Sequence, residues 1–355
     1  MKFFPKPFLQ EPIVIFCALV LLTTGVFILN SLSPDLFPQY YIYILVALSV
    51  FYLLYLFGFD IVKYFTTHLY VFSIVLLVLT LVIGRVTRGA VRWIPLGDYS
   101  FQASEVVRPF LLLFFAQRLS GVRKSIAKIA KLGLLAMLPV LLIAIQPSFG
   151  VALLTTIGIS VIFAFKLLRG KSFIAILFIV LLGVPLVWTF FKPYQRERIS
   201  NFFIYESDPS GSGYNTIQSI ISTGSGGLLG RGFKKGFQTQ LRYLPEKHTD
   251  FVFAGISEEL GFVGASIVLA ALFILYFRII SLACNSDDEA YTLFAIGSVV
   301  VLIGETVINV GMNLGLLPIT GIPLPLVSAG GSSLLSSFIT LSLIMSGKSV
   351  KKVLR

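Results

Sequence analysis

Residues 241–261 read LRYLPEKHTDFVFAGISEELG and gather Arg242, Glu246, Lys247, His248, Asp250, Glu258 and Glu259 in an otherwise apolar chain. Ionisable groups at a membrane boundary are costly unless paired or hydrated, so such a cluster points to a working site. Asp250 is the candidate catalytic residue. It follows Pro245 and Thr249 just where an apolar run begins, which predicts the first turn of a helix. A helix N-terminus favours the carboxylate and partial desolvation favours the neutral acid, and the sequence leaves the sign open. At about 100° per residue, Glu258 lies roughly 80° around from Asp250 and Glu259 lies nearly opposite. Glu258 is therefore the better second acid. A plainer reading stands beside this one, in which the charges only cap and solvate a helix end.

The elements that must hold these residues are membrane spans. Of 355 residues, 56% are hydrophobic and 12% charged, roughly half the charge of a soluble domain. Apolar runs of about 20 residues recur about ten times, near 12–31, 40–59, 67–84, 102–118, 132–146, 149–168, 172–191, 251–280, 290–314 and 325–346. The expected fold is thus an all-α polytopic membrane protein, a single membrane domain over 1–355 with one long extracytoplasmic loop at about 192–250. The run 12–31 is too long for a signal-peptide core and is read as a retained span. Cys17 and Cys284 are the only cysteines, so no disulfide framework is expected. The net charge of +12 flanks the spans, which argues for membrane lipids and against nucleic acid as its partner.

The positive-inside rule orients the chain. Lys63, Arg118, Arg123, Lys128, Lys166, Arg278 and Lys351 fall on the side of the termini, whereas the short loops opposite carry only Arg85, Arg88 and Arg92. Both termini are then cytoplasmic, and Asp250 faces outward. The outer charges, with Arg196, Arg198, Arg231, Lys234, Lys235 and Lys247 in the long loop, form a cationic mouth. Such a mouth suits an anionic ligand, and arginine suits phosphate especially.

Three further stretches bear on a site. Glu105 and Arg108 stand three apart at the entry to the fourth span, so they share a helix face and can pair. Segment 214–233, YNTIQSIISTGSGGLLGRGF, allows a tight backbone with amides turned to a ligand, although on glycine content alone a plain loop is the better reading. Segment 309–333, NVGMNLGLLPITGIPLPLVSAGGSS, carries Pro318, Pro323 and Pro325 and cannot be one continuous helix. Broken backbone at membrane depth must be buried in protein or line a cavity. No metal-ligand spacing is visible, and a divalent cation such as Mg2+ or Mn2+ is left open.

Together GAVRWIPLG, FQASEVVR, QPSFG, YQRERI, GYNTIQSIISTGSGGLLGRGF, RYLPEKHTDFVFAGISEELG and the 309–333 run resemble the SEDS family (shape, elongation, division and sporulation) of bacterial cell-wall synthesis, the elongation members first and the division members next. The resemblance implies a peptidoglycan glycosyltransferase of the bacterial cytoplasmic membrane that polymerises lipid II at its outer face. It implies Asp250 of HTDF as the essential residue and a class B penicillin-binding protein, a transpeptidase, as partner. A lipid II flippase is the alternative. The candidate substrate-binding set is Glu105, Arg108, Arg231, Lys247, His248, Gln218 and Glu258. This chain departs from the family pattern at Ala103, Arg108, Ser148, Glu305 and Ala329, where Pro, Lys, Asp, Gln and Tyr are usual.

Overall fold

The computed structural model describes residues 11–87, 90–97, 99–121, 125–146, 148–167, 213–241, 243–244 and 246–347. Twelve helices lie in these residues, in chain order: α1 Pro12–Leu32, α2 Gln39–Tyr64, α3 Thr66–Ile83, α4 Ala103–Val106, α5 Arg108–Ser120, α6 Ile126–Ile145, α7 Phe149–Leu167, α8 Tyr214–Ser225, α9 Phe237–Gln240, α10 Val252–Cys284, α11 Glu289–Asn313 and α12 Gly331–Ser346. Seven of them, α1, α2, α3, α6, α7, α10 and α11, are long and apolar enough to cross a membrane. Each is predominantly apolar, as a span must be. One strip packs inward, while residues such as Phe16, Phe72, Met137 and Phe273 remain exposed on the outside.

The expected fourth span resolves into α4 and α5, joined through Val107 in helical conformation. The expected tenth resolves into irregular chain followed by α12, which is only 16 residues long and buried along almost its whole length. The expected seventh span, 172–191, lies outside the described residues, as do Arg88, Arg123, Arg196, Arg198, Arg242 and the YQRERI run. A feature not expected from the sequence is a three-stranded antiparallel sheet, β1 Arg85–Thr87, β2 Ala90–Leu96 and β3 Tyr99–Phe101, in the order β1-β2-β3. Its outer strands have three residues each, and the middle one has seven.

Helix α11 is the centre of the arrangement. It packs on α5, α7 and α10. It approaches α7 closely because Gly158 faces Gly297; a Cβ on either would lie 3.3–3.5 Å from the other's carbonyl oxygen. Small residues at a helix crossing permit this where no hydrophobic drive separates protein from lipid. Helices α2 and α12 form a second close pair, and α1 lies along α10.

Two long helices are broken. Gly58 interrupts α2 at φ 78°, and Gly261 interrupts α10 at φ 68°. A break in a membrane helix strands carbonyls and amides that lipid cannot satisfy. At Gly261 the chain 226–232 supplies the partners. The amides of Arg231 and Gly232 donate to the Glu258 and Glu259 carbonyls at 2.9 and 3.0 Å, and those of Phe262 and Val263 donate to the Gly227 and Leu228 carbonyls at 2.9 and 3.1 Å. The glycine-rich stretch thus splits into helix α8 and a turn. The amides of Arg231 and Gly232 in that turn face the broken helix and not a ligand.

At the far end of α10 and α11 from Asp250, Asp288 caps α11. Its Oδ1 accepts from the amides of Ala290 at 2.8 Å and Tyr291 at 3.3 Å, and its Oδ2 pairs with Lys63 of α2.

Candidate active site

Asp250 does not lie in the first helical turn, as the sequence suggests, but in the turn 246–251 that leads into α10. The turn closes on itself. The Glu246 carbonyl accepts from the Thr249 and Asp250 amides, both at 3.1 Å, with Glu246 at φ 53°. The surrounding chain then holds each carbonyl of the His-Thr-Asp run. The Ala329 amide donates to His248 O at 2.9 Å. Ser328 Oγ donates to Thr249 O at 2.7 Å and itself accepts from the Leu324 amide. Asn309 and Asn313 both donate to Asp250 O, at 3.1 and 2.9 Å. Asn313 Oδ1 also accepts from the Ala254 amide at 2.9 Å, which ties α11 to the start of α10.

The irregular segment after α11 is therefore the cradle of this turn, and residues 322–328 within it are buried. Its prolines keep it from closing into a helix, so its polar groups reach the turn instead. Because the Ala329 contact is through the backbone, the departure from tyrosine at that position leaves it intact. The half-buried Asp250 carboxylate lies beside Gly321, where even a Cβ would come within 3.5 Å of Oδ2 and where φ is +73°.

Glu105 and Arg108 sit behind this turn, both buried. They do not form the expected hydrogen-bonded pair. Arg108 Nη2 instead donates to Glu305 Oε1 of α11, and both side chains are enclosed. The charges of Arg108, Glu305, Arg92 of β2 and Asp250 all act on Glu105. Asp250, Arg108, Arg92 and Glu305, from four other segments, thus lie within electrostatic reach of Glu105. Glu305, Asn309 and Asn313 are spaced by four and share one face of α11. Sequence reasoning missed the two asparagines as site residues, although this spacing of polar residues in an apolar span was the available signal.

The remaining candidates are placed differently. Glu258 is completely buried, and its carboxylate accepts from the amides of Gln238 at 2.8 Å and Thr239 at 3.1 Å and from Ser222 at 3.2 Å. It anchors α9 to α10 and is not open to a ligand, contrary to its expected place beside Asp250. Glu259 accepts from Ser31 of α1 at 2.6 Å and from Gln240 at 3.0 Å. Arg231 is exposed, with Nε donating to the Ser225 carbonyl at 3.2 Å. Lys247 donates to the Thr239 carbonyl. His248 Nε2 stands 4.0 Å from Glu246. Gln218 is half-buried on α8. Ser148, in place of the usual acid, lies 3.3 Å from the Gln102 amide nitrogen in a buried network. Among the described residues no group of three or more His, Cys, Asp or Glu is arranged to hold a metal ion.

Comparison with known proteins agrees with this geometry. The family model described as "Cell cycle protein", FTSW_RODA_SPOVE, matches residues 9–352. The chain is 38% identical over 292 residues to the peptidoglycan glycosyltransferase MrdB of Escherichia coli K12, covering 81% of this chain and 78% of that one. It is 38% identical over 293 residues to the probable peptidoglycan glycosyltransferase FtsW of Aliivibrio salmonicida, covering 79% and 72%. Among solved structures, a chain of a peptidoglycan synthase complex that coordinates polymerization and crosslinking superposes with a TM-score of 0.77 at 34% identity, over 94% of this chain and 95% of that one. The rod shape determining protein RodA of Thermus thermophilus gives 0.71 at 28% identity, over 94% of both chains. The helical bundle is thus that of the SEDS family, the FtsW/RodA/SpoVE proteins, to which this multi-pass membrane chain belongs.

Proposed function

We propose that this protein is a peptidoglycan glycosyltransferase of the elongation type, which polymerises lipid II at the outer face of the bacterial cytoplasmic membrane. One observation carries the reading. A carboxylate, Asp250, is held by a cradle of hydrogen bonds at the edge of a buried cluster that also contains Arg108 and Arg92. That arrangement offers a base next to cations, which glycan growth from a lipid diphosphate requires.

The acceptor sugar hydroxyl attacks the anomeric carbon of the donor sugar. The new C–O bond forms as the bond from that carbon to the diphosphate oxygen breaks. Asp250 takes the hydroxyl proton as general base. Arg108 stabilises the departing polyprenyl diphosphate, whose charge grows as the bond breaks. The half-buried position of Asp250 keeps the base within reach of a ligand. The excess of Lys and Arg in the short loops on the side of the termini supports a topology with both termini cytoplasmic and Asp250 outside. The structural likeness to a chain from a polymerising and crosslinking complex supports a class B penicillin-binding protein as partner.

The test is a polymerisation assay on purified protein with such a partner, with lipid II supplied and glycan length read on a gel. Wild type makes long glycan. Asp250→Asn removes the base with little change of shape, so its rate is expected to fall at least about 100-fold at an unchanged unfolding temperature. Retention of most activity by that variant removes Asp250 from the chemistry. A wild-type protein that consumes no lipid II but moves it across vesicles establishes a flippase instead.

A further inference from the structure

We propose that Glu305 is a positioning residue that holds the Arg108 guanidinium from behind and so turns it toward the diphosphate of the lipid substrate. The inference rests on the reading that this diphosphate enters beside Asp250. Arg108 has five N–H donors in a planar fork. Among the described residues its side chain makes one hydrogen bond, to Glu305 Oε1. Among the described residues no hydrogen bond takes up its other donors, and Arg108 and Asp250 both act electrostatically on Glu105.

Glu105 is near enough in sequence to take the guanidinium for itself. The structure gives Arg108 to α11 instead, and the Glu105 carboxylate accepts no hydrogen bond among the described residues. Glu305 is 2% exposed, and its second oxygen, Oε2, is buried with no hydrogen-bond partner. A buried ion pair that leaves one carboxylate oxygen unsatisfied adds little to stability compared with apolar packing. Its use lies in direction: it fixes one edge of the fork against α11 and leaves the rest of the fork to bind two phosphate oxygens side by side, as guanidinium groups do. Glu305 touches neither substrate nor reacting atom. It acts only through Arg108.

The experiment separates binding from turnover. Asp250→Asn protein, which does not consume its ligand, is titrated with polyprenyl diphosphate in detergent, with and without Glu305→Gln. The expected result is an affinity about tenfold weaker in the Glu305→Gln background, the order expected for one misdirected hydrogen bond to a charged group. In the turnover assay Glu305→Gln raises KM for lipid II and also lowers kcat, because the diphosphate charge that Arg108 meets grows as the bond breaks, whereas Glu305→Asp lies between it and wild type. Unchanged affinity in a folded Glu305→Gln protein overturns the proposal.

If Glu305→Gln does not fold, the exchanged pair Arg108→Glu with Glu305→Arg decides the matter. It restores the ion pair but faces the cluster with an acid, so it is expected to fold and not to bind. Binding at the wild-type level by the exchanged pair overturns the proposal. These outcomes are independent of whether Asp250 is the base, because the titration needs no catalysis.

Discussion

Asp250 is a half-buried acid whose backbone carbonyl is held by two asparagines of α11. Asn313 carries much of that load. Its Nδ2 donates to Asp250 O at 2.9 Å and to Asn309 O at 2.7 Å, and its Oδ1 accepts from Ala254 N at 2.9 Å. Asn313→Leu keeps the volume and removes all three bonds. Asp250 O keeps its bond from Asn309, but the Ala254 amide loses its partner; a buried group left unpaired costs about 1–3 kcal/mol, so the unfolding temperature in detergent drops. A shift of the base by about 1 Å costs on the order of 100-fold in rate. Glycan synthesis should therefore fall by more than the loss of folded protein explains, as measured at a temperature where the variant is still native. An Asn313→Leu protein with normal turnover shows that the clamp is dispensable. The sequence exposed Asp250 through its charge in an apolar context, but it hid the partner of Arg108. Glu305 lies 197 residues away, and local spacing favoured Glu105. The clamp at Asn309 and Asn313 was legible as an i, i+4 pair of amides in a span.

Among the elements, the two broken helices make a controlled comparison. Gly58 has φ +78° and nothing within 4 Å of a built Cβ, whereas Gly261 has φ +68° with Gly230 N at 2.2 Å and Leu228 O at 2.6 Å. Alanine at Gly58 meets only the strain of a positive-φ, extended-ψ backbone that is essentially glycine's own (φ 78°, ψ 157°), about 1–3 kcal/mol. Alanine at Gly261 meets that strain and also pushes chain 226–232 off the break, which uncovers four backbone hydrogen bonds. Thermal unfolding should therefore separate the two variants clearly, with Gly261→Ala the less stable; equal melting temperatures would refute this account of the break. Neither break was legible in the sequence, because a glycine in an apolar run reads as ordinary helix packing until the chain that covers it is known. The short sheet at 85–101 escaped for a related reason, since its two three-residue outer strands are defined by their pairing with β2 and not by a period.

For the whole molecule, the end opposite the site has its own electrostatics. Asp288 joins α11 to α2 through Lys63 and caps α11 at once. Burial works against its charge, but the Lys63 hydrogen bond and charge and the Ala290 and Tyr291 amides outweigh it and hold the carboxyl below the usual Asp range. A depressed folded pKa means that stability is present above the unfolded value of about 4 and is lost as pH falls through the folded one. Asp288→Ala should cost about 1 kcal/mol near neutral pH, and its deficit against wild type should shrink on acidification below about pH 4. A deficit that does not change with pH assigns the loss to packing alone.

The bundle itself was largely readable from hydropathy, because apolar runs of span length have few other fates. The fourth and tenth runs were read as plain spans because their charged or proline-rich entries were counted as helix.

One face of α11 also acts as a ruler. Glu305 grips the cation and Asn313 grips the turn of the base, eight residues along the same helix and so roughly 12 Å apart at 1.5 Å per residue. Base and cation are geared to a single rigid rod. A push that slides or rolls α11 carries both together and leaves their separation unchanged. Such a molecule is switched as a block, on or off, and is not tuned one residue at a time.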